Sequence, residues 1–155
     1  MKYLFPNSFK KLGWFILVPS VIAGLLVIHF NIEPTLFDLK VPALIADKEG
    51  LSFDKKYITI IENNILIEIL GVLILVGSLF VAFSKEKQED EFIAKIRLES
   101  LVWATYFNFA ILLLAMLIIY GFSFYYLMIF NMFTIPIYFI IRFNWQLRKI
   151  KNYEK

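Results

Sequence analysis

The chain has 155 residues, is 60% hydrophobic and 18% aromatic, and has a mean hydropathy of +0.71. Soluble domains hold about 45–50% apolar residues on a similar count, so a chain this apolar needs a solvent other than water; at this length one membrane domain, 1–155, is expected. The absence of cysteine excludes disulfides, thiolate metal sites and thiol chemistry, and a net charge of +3 is too small to argue for direct binding of nucleic acid.

A helix needs about 20 apolar residues to cross a hydrocarbon core of about 30 Å. Four stretches qualify: residues 12–30, 65–83, 101–120 and about 122–143. The predicted fold is therefore all-α, a polytopic four-helix transmembrane bundle. The first stretch, "LGWFILVPSVIAGLLVIHF", follows Lys2, Lys10 and Lys11, as the apolar region of a signal peptide would. Its nineteen residues exceed the usual 7–15, and no A-x-A site follows, so it is expected to stay as a span. Pro19 lies inside it, and Ser20 or a neighbouring helix is expected to satisfy the freed carbonyl at a mild kink.

Residues 31–63 form the outer loop, the one long connection. "FDLKV" alternates apolar and polar residues, as a half-buried strand does, and "YITII" is β-branched. With "DKEG" (47–50) as a turn between them, a short β-hairpin over the bundle mouth is expected, and Pro42 assigns its strand to an edge. An irregular loop packed on the helix ends is the alternative.

Ionisable groups within spans are functional candidates by default. His29 ends the first span and Glu68 begins the second on the same side, at similar depth. If the helices touch they would form a proton-responsive pair, since His titrates near neutrality. The simpler alternative leaves both at the interface, meeting headgroups or loop backbone. Asn108 and Asn131 sit deeper and are expected to hydrogen-bond between helices, with Asn108 opposite Thr134 or Ile135. Ser20 and Gly24, and Ser78 and Ala82, have the small-xxx-small spacing of close helix packing.

Between the second and third spans lies "SKEKQEDEFIAKIRLES", residues 84–100, with nine charges in seventeen positions. Lys87, Glu91, Lys95 and Glu99 recur once per helical turn, while Phe92, Ile93, Ile96, Ser100 and Trp103 fall on the opposite arc. From about Glu91 this charged hairpin is therefore amphipathic and runs into the third span. A straight stalk from residue 86 would stand about 22 Å clear of the membrane. A two- or three-residue link from residue 83 could not reach its far end. Either the second span runs on to about Lys87, with the turn at 88–90, or the amphipathic helix lies along the membrane. Solvated charge alone would explain the segment. The sharper alternative is docking of a cytoplasmic protein by Lys87, Glu91, Lys95, Arg97 and Glu99.

The third and fourth spans are joined through Gly121, which can take the left-handed conformation that ends a helix, so they are expected to be antiparallel neighbours. Their many aromatic residues would serve packing, lipid contact or a partner subunit. The tail "RFNWQLRKIKNYEK" is basic, as a topology determinant or a contact for anionic lipid. Twelve Lys and Arg fall on the side of the termini and the 84–100 hairpin, and four on the other. The positive-inside rule then makes both termini cytoplasmic. Trp14, Trp103 and Trp145 all fall at that same interface.

The stretch "FSKEKQEDEFIAKIRLESLVWATYFNFAILLLAM", with "FNMFT" and "IIRFN" downstream, resembles a family of small uncharacterised bacterial four-helix integral membrane proteins, often neighbouring a small helix-turn-helix regulator. The likeness covers about residues 83–144 well and the first half in outline. It implies the fold, the bacterial inner membrane and a regulatory partner, and no chemistry.

No HExxH, Walker loop, paired intramembrane carboxylates or Ser-His-Asp set occurs in the sequence. A non-enzymatic protein without catalytic, metal-binding or cofactor-binding residues is expected. It would signal or regulate through the cytoplasmic hairpin, with the lipid bilayer and a cytoplasmic regulatory protein as partners. Two alternatives stand beside it: a small homo-oligomeric transporter or channel using Glu68, and an accessory subunit of a membrane complex.

Overall fold

The computed structural model describes residues 4–32, 34–47, 55–87 and 89–153. In chain order the elements are α1 (Asn7–Phe30), a 3₁₀ turn (Thr35–Phe37), β1 (Asp38–Asp47), β2 (Lys55–Asn64), α2 (Leu66–Phe83), α3 (Glu91–Ile118) and α4 (Phe122–Tyr153). Three stretches, Asn7–Phe30, Glu91–Ile118 and Ser123–Ile150, are helical and long and apolar enough to cross a membrane; Leu66–Ala82 is a shorter apolar helix. The predicted architecture of four helices with a small two-stranded sheet between the first two is what the described residues show. It is the architecture of a membrane-embedded protein.

The chain divides into two compact units, Met1–Pro19 with Leu73–Lys155, and Ser20–Val72. In the first, α1 and α2 approach to backbone contact. A Cβ placed on Gly13 would lie 2.8 Å from the Val81 nitrogen and 2.9 Å from the Gly77 carbonyl oxygen. One on Gly77 would lie 3.0 Å from the Leu17 nitrogen. Lipid tails are as apolar as leucine, so helices in a bilayer associate through close packing of small residues rather than through the hydrophobic effect. Ser78 and Ala82, with the predicted small-residue spacing, are fully buried. The two glycines that make the contact sit on different helices, where no spacing motif marks them.

Phe5, Phe9 and Phe80 form an aromatic cluster with centroids 5.2–5.6 Å apart, which pins the start of α1 to α2. A second stack runs Phe83, Phe139, Phe143 and joins α2 to α4. On α3 the buried positions Ile96, Ser100, Ala104 and Asn108 fall one turn apart, so the inward stripe begins in the charged segment and continues down the span.

The linker geometry differs from the predicted arrangement in which the second span runs on to about Lys87, while the amphipathic helix begins at Glu91, where the sequence pattern starts it. α2 stops at Phe83 instead of running to Lys87, and α3 is one helix of 28 residues, about 42 Å long, from the charged segment into the span. Residues 84–87, 89 and 90 are non-helical; Gln88, in the predicted turn, lies outside the described residues. The helix starts where it does because the Asp90 carboxylate accepts the Ile93 N–H at 2.7 Å, an N-cap, with Glu91 in the positive first turn. The loop backbone is held from outside: Phe5 N–H donates to Phe83 O and Lys85 N–H to Phe5 O, both at 2.9 Å.

α3 and α4 are joined at Gly121, whose φ of +72° is the left-handed conformation predicted for it. Phe107 of α3 stacks on Tyr138 of α4 at 4.3 Å between centroids.

In the second unit β1 and β2 pair antiparallel from Asp38 opposite Asn64 to Asp47 opposite Lys55. Both predicted strand segments lie in this ribbon except Phe37, which ends the 3₁₀ turn before β1. Pro42 faces Ile60 and is tolerated because each strand of a two-stranded ribbon has a free edge. Residues 48–50 of the predicted turn fall outside the described residues. Asn64 ties the base of the ribbon. Its amide donates to Pro34 O at 2.9 Å and to Asp38 Oδ1 at 2.7 Å, and its Oδ1 accepts the Leu66 N–H at the start of α2.

Gly13→Val would force α1 away from α2, because the new atoms meet backbone instead of flexible side chains. Overpacking of this kind costs about 1–3 kcal/mol. The expected result is a lower unfolding midpoint in detergent for Gly13→Val, with an exposed control such as Phe15→Val near the wild-type value.

Candidate functional site: a clamped polar loop

The polar groups of the first unit gather at one end, where α1 and α3 begin and α2 and α4 end. Their centre is Arg97, which is 2% exposed. Its Nη1 donates to Ala82 O at 2.9 Å and to Ser84 O at 3.1 Å. Its Nη2 donates to both Glu89 carboxylate oxygens, at 3.3 and 3.1 Å. Glu89 Oε2 also accepts the Glu86 N–H at 2.9 Å. The guanidinium lies over the Phe143 ring, 4.7 Å from its centroid.

The reason for this geometry is local. The last carbonyls of α2 lack intrahelical partners and form the negative end of the helix. A planar guanidinium presents five donors in a fixed fork, so one side chain can serve two carbonyls and a carboxylate together. On the outer side of the loop Lys10 pairs with Glu86, and Asn7 Nδ2 donates to Lys85 O at 2.7 Å. Below it, Ser100 Oγ donates to Gln146 Oε1 at 3.2 Å, joining α3 to α4.

Arg97 therefore stands apart from the four residues with which the sequence grouped it. Lys87, Glu91, Lys95 and Glu99 are exposed, whereas the Arg97 charge is spent inside the protein. Lys95 and Glu99 line a shallow groove of about 310 Å³ between the start of α3 and the end of α4. Phe92, Ile96 and Ile150 supply its apolar surface and Lys149 its further positive charge. A rigid backbone, a charged rim and an apolar floor are suited to recognising another molecule.

The intramembrane candidates are more dispersed. His29 is exposed and makes an edge contact with Phe30 at 4.8 Å. Glu68 is exposed and accepts the Asn63 amide at 2.9 Å. No ion pair joins His29 to Glu68 among the described residues. Glu68 lines, with Asp38, Glu62, Asn63 and Asn64, a cleft of about 480 Å³ in the second unit. Among the described residues no group of three His, Asp or Glu is placed to hold a metal ion. Asn108 is buried on α3, and its Oδ1 has no hydrogen-bond partner; neither has the buried Nδ2 of Asn131 on α4.

Two features escaped the sequence: the clamp on Arg97 with Glu89 and Lys10, and the stacking of the Arg142 guanidinium on the Trp103 ring at 4.7 Å. The inward stripe of Ile96, Ser100, Ala104 and Asn108 was the available signal for the first, since Arg97 borders it and lies three residues before Ser100.

No family model matches the chain, and no curated protein and no solved structure matches it.

Removing Arg97 would leave two carbonyls and a half-buried carboxylate without their donor. Breaking a buried pair costs about 3–5 kcal/mol; Glu89 is partly solvated, so about 2–4 kcal/mol is expected for Arg97→Leu. Glu89→Gln, which keeps an acceptor for Nη2, is expected to cost less. Unfolding midpoints of the two variants in detergent check the order.

Proposed function

We propose that the protein is a non-enzymatic bacterial membrane protein that acts by presenting the loop and the first turns of α3 to a cytoplasmic protein. The observation that carries this reading is the contrast at the clamped end. Arg97, Glu89, Lys10 and Glu86 are consumed in fixing the loop, while Lys87, Glu91, Lys95 and Glu99 are left exposed, the last two on the rim of an apolar groove. Charge alone would be satisfied by a solvated, mobile linker. A surface held by buried hydrogen bonds is preorganised, and preorganisation reduces the ordering cost of binding.

The cytoplasmic placement rests on the twelve-to-four distribution of Lys and Arg. The resemblance of residues 83–144 to bacterial four-helix membrane proteins neighbouring a small regulator makes that regulator the partner proposed. Transport through Glu68 has less support: Glu68 is exposed in the first turn of α2 and already bonded to Asn63.

The test is cross-linking in native membranes, extraction in mild detergent and mass spectrometry, with the double charge reversal Glu91→Lys/Lys95→Glu in parallel. A soluble protein recovered with the wild type and reduced about tenfold with the variant, at equal amounts of folded protein, is the expected outcome. Recovery of the chain alone, of further copies of itself, or of the same protein equally with both would contradict the proposal.

A further inference from the structure

The clamped end contains a second packed cation, which shares with Arg97 a buried Nε without a hydrogen-bond partner but, unlike Arg97, has no carboxylate partner among the described residues. Arg142 is half-buried near the end of the apolar part of α4, with its guanidinium carbon 4.7 Å from the centroid of the Trp103 ring on α3. Its Nε is buried and has no hydrogen-bond partner. It takes part in no ion pair among the described residues, whereas Lys10 has Glu86 and Arg97 has Glu89. Glu99, one turn before Trp103, is exposed and unpaired with it. A guanidinium partly removed from water, with its position fixed by a ring, calls for an anion.

The level of the site says which anion. Trp103 is 52% exposed and Trp145 62% exposed on the outside of the helices. Tryptophan in membrane proteins favours the headgroup layer. Arg142 precedes Trp145 by three residues, about 4.5 Å along the axis, so guanidinium and indoles share that layer. The anions at that depth are lipid phosphates, and the guanidinium fork matches phosphate oxygens in a way that an ammonium does not. Among the described residues the groove that continues from the seam carries Lys95 and Lys149 against Glu99, a net positive lining.

We propose that Arg142, held on Trp103, binds the phosphate of an anionic phospholipid at the α3–α4 seam. The indole faces the lipid and supports the guanidinium from one side. The phosphate takes the free donors, and the basic seam selects a net negative headgroup over a zwitterionic one. Arg142 and Trp103 are not among the exposed residues assigned to partner docking, and of those residues Lys95 also contributes to the basic seam.

The test uses the full chain, delipidated in mild detergent, and native mass spectrometry with titrated phosphatidylglycerol, phosphatidylcholine or soluble glycerol 3-phosphate. One unshared basic contact at a membrane surface corresponds to about a fivefold change in affinity. Phosphatidylglycerol is expected to bind at least about fivefold more tightly than phosphatidylcholine, and glycerol 3-phosphate not measurably. Arg142→Gln should abolish the preference, and Lys11→Gln, an exposed cation on α1, should keep it. If Arg142→Gln does not fold, Arg142→Lys keeps the charge but loses the fork, and is expected to weaken the preference. A preference unchanged in the folded Arg142 variant, equal binding of the zwitterionic lipid, or equal binding of glycerol 3-phosphate would each overturn the assignment.

Discussion

The buried guanidinium of Arg97 is the interaction on which the arrangement of the helix ends depends. Removing such a group from water costs several kcal/mol unless its donors are matched. Here Nη1 and Nη2 are matched by two carbonyls from the end of α2 and by the Glu89 carboxylate, the Phe143 ring lies against the guanidinium, and only Nε has no partner. α3 thus completes the C-terminus of α2, which has no glycine cap and no basic residue in its last turn. Ser84, whose carbonyl Arg97 holds, is also bridged to Phe5 ahead of α1. One side chain therefore ties α2, α3 and α4 directly, and α1 through a single further step.

Elsewhere in this unit the adhesion is of another kind. Gly13 and Gly77 bring α1 and α2 within backbone distance, and the Phe83–Phe139–Phe143 stack fills the space beside them. Such contacts suit a bilayer, where apolar surface gains little from burial and fit decides association. The division of labour bears on function. Apolar packing fixes the membrane-embedded part, while a charge network fixes the polar loop, so the exposed charges of α3 stand on a stiff support. At the α3–α4 seam Arg142 lies on the Trp103 ring without an ion-pair partner among the described residues.

Hydropathy made the helices legible because span length is a property of composition along the chain, and alternation did the same for β1 and β2. The course of residues 84–100 was legible only in part. The reach argument excludes a straight stalk from residue 86, and the amphipathic pattern places the helix start at about Glu91, where Asp90 caps it; the early end of α2 at Phe83 is the part it leaves open. Arg97 was grouped with exposed charges because a residue's sign says nothing of its burial; only the stripe from Ile96 to Asn108 points inward. Gly13 and Gly77 were invisible for a similar reason, since spacing motifs report on one helix while this contact needs two. His29 and Glu68 share a depth, yet Glu68 is bonded to Asn63, a partner from the end of β2 that span-by-span reasoning does not consider.

The proposed function requires the clamped polar loop to face the cytoplasm, and the distribution of Lys and Arg along the chain assigns residues 31–63 to the other side. The chain has no cysteine, so single substitutions give a clean label. The measurement is labelling of Lys87→Cys and Lys40→Cys with a membrane-impermeant maleimide, in intact and in permeabilised bacterial cells. Both positions are exposed, so each reports on its side of the membrane and not on burial. The account predicts that Lys40→Cys reacts in intact cells with a permeable outer envelope and that Lys87→Cys reacts only after the inner membrane is opened. Reaction of Lys87→Cys in intact cells, with Lys40→Cys protected, would invert the orientation and contradict a cytoplasmic role for the loop.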